Sequence, residues 1–152
     1  MSEDYETYKK ETQKIRASNK ILLVEFESWL KDSGLSTKTI KRHSSNIDFY
    51  INEYLLYTDA VSPEEGTNSG YVSMFLGYWF IRKALWASAT SLKTNAASLK
   101  KFSKFLFENN KISKEELDEI SSTIREEMPE WQAVLRRYDD PSITDSEEIW
   151  GM

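Results

Sequence analysis

Between Ser91 and Ile112 the chain reads SLKTNAASLKKFSKFLFENNKI, and the spacing of its apolar residues leaves little choice of backbone. At about 100° per residue, Leu92, Ala96, Leu99, Phe102, Ser103 and Leu106 fall on one side of a helix. Lys93, Ala97, Lys100 and Lys104 fall roughly opposite, Thr94 and Lys101 lie at the flank, and Asn109-Asn110 supplies a stop. A rod with one apolar and one basic face needs covering on the first side only, so the rest of the chain must supply other amphipathic helices. No stretch alternates apolar and polar residues, and five glycines and three prolines are few breakers for 152 residues. The expected class is all-α.

In chain order, residues 3–17 read as a short helix or a frayed arm, with Tyr5, Tyr8, Thr12 and Ile15 on one side. Ser18 or Asn19 is an N-cap for ILLVEFESWLKDSG, whose apolar face is Leu22, Leu23, Phe26, Trp29 and Leu30 and whose stop is Gly34. Ser36 caps the next helix, lined by Ile40, Ile47, Ile51, Tyr54 and Leu55, with Lys38, Lys41, Arg42 and Ser45 opposite. TDAVSPEEGTNSG reads as a mobile connection. GYVSMFLGYWFIRKALWAS is apolar nearly all round, which places Phe75, Leu76, Trp79, Phe80 and Leu85 in a core and leaves Tyr71, Tyr78 and Trp86 as an alternative partner surface. Ser113 and Glu116 form a capping box for an acidic helix carrying Leu117, Ile120 and Ile124, which should end near Met128. Pro129 then opens a further helix with Trp131, Leu135 and Tyr138 on one face. The divisions expected are an arm over 1–17, a helical domain over 18–112, acidic helices over 113–140 and a flexible acidic tail over 141–152.

The net charge of −5 is segregated. Gly66 to Phe107 carries six bases and no acid, whereas residues 108–152 carry thirteen acids against five bases. A stretch of one sign points towards a polyanion. Catalytic chemistry fails on inventory. His43 is the one histidine and sits beside the apolar face of its helix, where a packed or hydrogen-bonded role fits; there is no cysteine, no glycine-rich phosphate loop and no nucleophile elbow. No enzyme activity, metal or cofactor is expected. No apolar run approaches about 18 residues and the first residues are polar, so neither a membrane span nor a signal peptide is expected, and the expected location is cytoplasmic.

The succession VEFESWLKDSGLS, STKTIKRHSSNIDFYINEYL, YVSMFLGYWF and SLKTNAASLKKFSKFLFENNKI, from Asn19 to Ile112, resembles the N-terminal core-binding domain of tyrosine recombinases and phage integrases. The Gly34-Leu35-Ser36 turn before Thr39-Ile40 and the LKKFSKFLFENNKI close carry the resemblance. It implies a compact four-helix SAM-like bundle, here with extra helical segments at both ends, that clamps one side of a DNA duplex. Its second and fourth helices, laid towards the major groove, correspond to Ser36–Tyr57 and Ser91–Asn109, the two with outward bases. The family's catalytic domain would have to follow Ile112, yet the remaining forty residues contain no histidine, so cutting or joining of DNA is not expected.

Two functions follow as expectations. One is a non-catalytic DNA-binding module in which Lys38, Lys41, Arg42, Lys93, Lys100, Lys101 and Lys104 contact duplex phosphates, Ser45, Thr94, Asn95 and Ser98 add hydrogen bonds, and Ala97 permits close approach. The other is a protein-interaction or homodimerisation module that keeps the fold without binding DNA. In the first, the acidic C-terminal segment either packs as a further helical layer or masks the lysine face.

Overall fold

A computed structural model of the chain describes residues 2–84 and 87–139. They are all-α, with no strand among them. Helix α1 runs without a break over Ser2–Asp32, about 46 Å at 1.5 Å per residue. Residues 3–17 are thus helical, one of the two alternatives, but as part of a longer helix; the frayed arm and the cap expected at Ser18 or Asn19 are corrected. No glycine or proline interrupts this span, and Asn19 is fully buried, donating from Nδ2 to Asn52 Oδ1 at 2.9 Å and to the Ile51 carbonyl at 3.4 Å. Thr12 is buried as well, and the Tyr8 hydroxyl donates to the Leu56 carbonyl, so the first turns are docked. Gly34 ends the helix in the left-handed region at φ 87°, where a side chain would be strained, with Leu35 N donating to Leu30 O.

Ser36 caps α2 (Thr37–Asp48) by accepting from Thr39 N, as its sequence position implies. The same rod continues as a π-helical segment, Phe49–Tyr54. After the short helix α3 (Pro63–Gly66), a second rod comprises α4 (Ser69–Met74), a π-helical segment Phe75–Trp79 and α5 (Phe80–Lys83). The two wide turns face one another through their aromatic rings. Tyr50 and Tyr54 lie 4.9 and 5.0 Å from Phe75, and Phe49 and Tyr54 lie 5.5 and 5.3 Å from Trp79. The mobile connection expected over 58–70 is instead pinned. Ser62 and Glu65 cap α3 reciprocally, the buried Tyr50 hydroxyl donates to Gly66 O at 2.6 Å, and Thr67 is fully buried. A Cβ on Gly66 would stand 2.5 Å from the Leu55 side chain and 2.9 Å from that of Val61, so a larger residue would have to push both aside.

Helix α6 (Ala89–Glu108) starts on Ser88 and buries Leu92, Ala96, Leu99, Phe102, Ser103 and Leu106, the face its periodicity marks. Helix α7 (Lys114–Asp139) starts at the Ser113–Glu116 capping box and runs through Pro129, which corrects the break expected at Met128. An interior proline costs about 3 kcal/mol. Beyond it Trp131, Val134 and Leu135 are all buried, each side chain contributing roughly 1.5–3 kcal/mol, so continuing the helix wins. These residues join Ile120 and Ile124 in the same core as Phe26, Ile47, Phe75 and Phe102. The acidic segment is thus joined to the main core as far as Leu135. Leu85, Trp86 and the tail expected over 141–152 lie outside the described residues.

Candidate nucleic-acid interface

The two helices with outward bases meet along a polar seam. His43 of α2 is buried, and its Nδ1 stands 2.7 Å from Ser98 Oγ of α6. Asn46 Nδ2, one turn along α2, donates to the same oxygen at 3.0 Å, and Ser98 Oγ lies 3.1 Å from Thr94 O. A hydroxyl has one proton. Given to Thr94 O, it leaves Ser98 to accept from both Asn46 and the imidazole, which places a proton on His43 Nδ1. The His43 pKa is held below its ordinary 6.5, chiefly because burial disfavours the charged ring and further by the positive charges of Lys101 and Arg42. Those two bases come from different helices, so each row of charge reaches the same point of the seam.

Around this seam Lys38, Lys41, Arg42, Lys93, Lys100 and Lys104 are exposed and Lys101 is half-buried. Among the described residues none of the seven forms an ion pair; the pairs present are Lys111–Glu64, Lys114–Asp118 and Arg137–Glu130. Ser45 is exposed at the edge, beside a hollow of about 380 Å³ that it shares with Asp48 and Glu53, so the basic surface ends there. Thr94 is half-buried and donates to Thr90 O at 2.9 Å.

Two expected contacts are corrected. Ser98 is fully buried, its hydroxyl committed to the seam, and Asn95 is 4% exposed with its amide donating to Ser91 O at 2.9 Å. Polarity on a helix face misleads here, because the packing of α2 against α6 is itself polar. Ser98 and Asn95 position the surface and do not form it.

Residues that the sequence does not mark also border the basic face. Helices α6 and α7 form a hairpin, and a groove of about 470 Å³ between them is lined by Lys100, Lys101, Lys104, Phe107 and Glu108 on one side and by Lys114, Leu117, Asp118 and Ser121 on the other. Lys114 lies in an acidic stretch, so only the hairpin brings it to the other lysines. As a separate feature, Tyr71 and Tyr78, which the sequence offers as an alternative partner surface, share an exposed stripe with Met74 on the second rod, and Lys83 Nζ stands 5.3 Å from the ring centroid of the exposed Tyr57. No group of three metal-ligating side chains occurs among the described residues, and no helix there is long and apolar enough to cross a membrane.

Comparison of the chain with protein-family models, with curated proteins and with solved structures finds no match.

Proposed function

We propose that the chain is a non-catalytic DNA-binding module of the kind found as the core-binding bundle of tyrosine recombinases. Lys38, Lys41 and Arg42 of α2 and Lys93, Lys100, Lys101 and Lys104 of α6 contact duplex phosphates. The observation that carries the reading is the buried junction of His43, Asn46 and Ser98, which locks α2 to α6 with unpaired bases on both flanks. Mobile surface lysines are ordinary. Two rows of them fixed side by side, in a chain with an overall charge of −5, are less so.

Titration of a short duplex at low salt tests the reading. Binding without strong sequence preference should fall in the range of about 10⁻⁴ to 10⁻⁶ M near physiological salt and weaken steeply as salt rises. No binding at low salt sinks it.

A second reading, a protein-interaction module, is favoured by Tyr71, Met74 and Tyr78, which are 39, 55 and 39% exposed along one stripe. Tyrosine and methionine are enriched where proteins dock. Self-association that persists in high salt and is lost in Met74→Glu would favour it over the first.

A further inference from the structure

We infer that the nucleic acid taken by this face carries unpaired nucleotides beside its duplex, and that one of them enters the groove between α6 and α7. The inference rests on the DNA-binding reading and extends it. Lys100, Lys101 and Lys104 belong to the duplex face and also line the groove, so a strand leaving the duplex meets the groove without crossing uncharged surface. A duplex is too wide to enter a groove of about 470 Å³, whereas that volume falls within the range of small-ligand sites, about 300–1,000 Å³.

The floor suits a base. Phe107 and Leu117 pack on one side against the core, stay half-exposed and line the groove, so the exposed part of the Phe107 ring is a surface on which a base can stack. Lys114 adds a fourth ammonium from the opposite wall. Its partner, Asp118 Oδ1 at 2.7 Å, is a solvent-exposed neighbour on the same helix, and such a pair exchanges readily for a phosphate.

The placement of charge chooses between a nucleotide and an acidic peptide. Glu108 and Asp118 stand in the groove with the lysines. A run of carboxylates would meet both acids, while a nucleotide sets its phosphate on the lysines and presents an uncharged base to the acids, which accept from exocyclic amines.

The test compares a blunt duplex with the same duplex bearing a single-stranded cytidine or adenosine tail, whose bases carry the exocyclic amine, on the full chain and on Phe107→Leu, a variant that stays apolar and removes the ring. Stacking of one base predicts about fivefold or tighter binding of the tailed duplex. Phe107→Leu should abolish that gain and leave blunt-duplex affinity unchanged. Equal binding of the two duplexes overturns the inference while leaving the DNA-binding reading intact, and so does a gain that survives Phe107→Leu. Absence of binding to either duplex overturns both. An acidic peptide that binds in a Phe107-dependent manner, beside a tail that brings no gain, overturns it in favour of a protein partner.

Discussion

The imidazole of His43 and the hydroxyl of Ser98 lie 2.7 Å apart at the centre of the α2–α6 contact, each buried, one on each of the two basic helices. Because this pair fixes how the two rows of bases sit beside one another, it is also the place where stability and binding are joined.

Acidification should act through His43. Its folded pKa is lowered, first by burial and then by Lys101 and Arg42, so below 6.5 the unfolded chain binds the proton that the folded chain refuses. The stabilisation is complete above that pH and is lost as pH falls through the folded value. His43→Asn should flatten the pH dependence of Tm across this window; a wild-type profile that the substitution leaves unchanged contradicts the assignment. Phosphates beside Arg42 and Lys101 would offset two of the three causes, so His43 should titrate closer to 6.5 in a DNA complex, as read by NMR.

Ser98→Ala should cost about 1–3 kcal/mol, because it strands the His43 imidazole and the Asn46 amide without their acceptor. Ser45→Ala, on the exposed edge, should stay within about 0.5 kcal/mol. Denaturant melts of the two variants separate the seam from the surface. Equal effects would mean that the seam contributes nothing.

Gly77→Ala should destabilise by about 1–3 kcal/mol. A Cβ there would stand 2.5 Å from Trp131 Nε1 and 2.6 Å from its Cδ1, inside a packed contact between the second rod and α7. Trimming the partner makes room, so Gly77→Ala with Trp131→Leu should cost less than the sum of the single changes. Strict additivity of Tm shifts would show that the two positions do not touch.

Duplex binding should fail by charge at the seam. Arg42→Glu and Lys101→Glu should each weaken it, and each phosphate contact removed should reduce the slope of log K against log salt by about 0.9. Lys10→Glu, an equal change of charge on α1, should leave the slope alone. If it weakens binding as much, net charge is responsible and the face is not.

The course of the helices was legible where caps and apolar stripes agree. Ser36, Gly34, the Ser113–Glu116 box and the buried face of α6 are all visible in the sequence because each is a local signal. The failures have one cause. Asn19 has the side chain of a cap, Pro129 that of a helix start and Gly66 that of a loop, yet each has its role set by a distant partner: Asn52, the Trp131–Leu135 core and Leu55. The bases of the candidate interface were legible by their spacing. Burial of Ser98 and Asn95 was not, since a polar side chain on a helix gives no sign of whether its partner is water or a neighbouring helix. Nor was Lys114, which reaches the other lysines only through the α6–α7 hairpin.

The facing π-helical turns bear on how this fold tolerates changes of chain length. A wide turn absorbs about one extra residue while the helix beyond keeps its angular phase. Loss of one residue within Phe49–Tyr54 or Phe75–Trp79 would therefore return that rod to plain α geometry with Leu55 and Leu56, or Phe80 and Ile81, still directed inward. The same loss between Leu99 and Phe102 turns everything after it by about 100° and takes Phe105 and Leu106 off the core. Single-residue gaps among related chains should thus collect at two places in sequence that are one place in space.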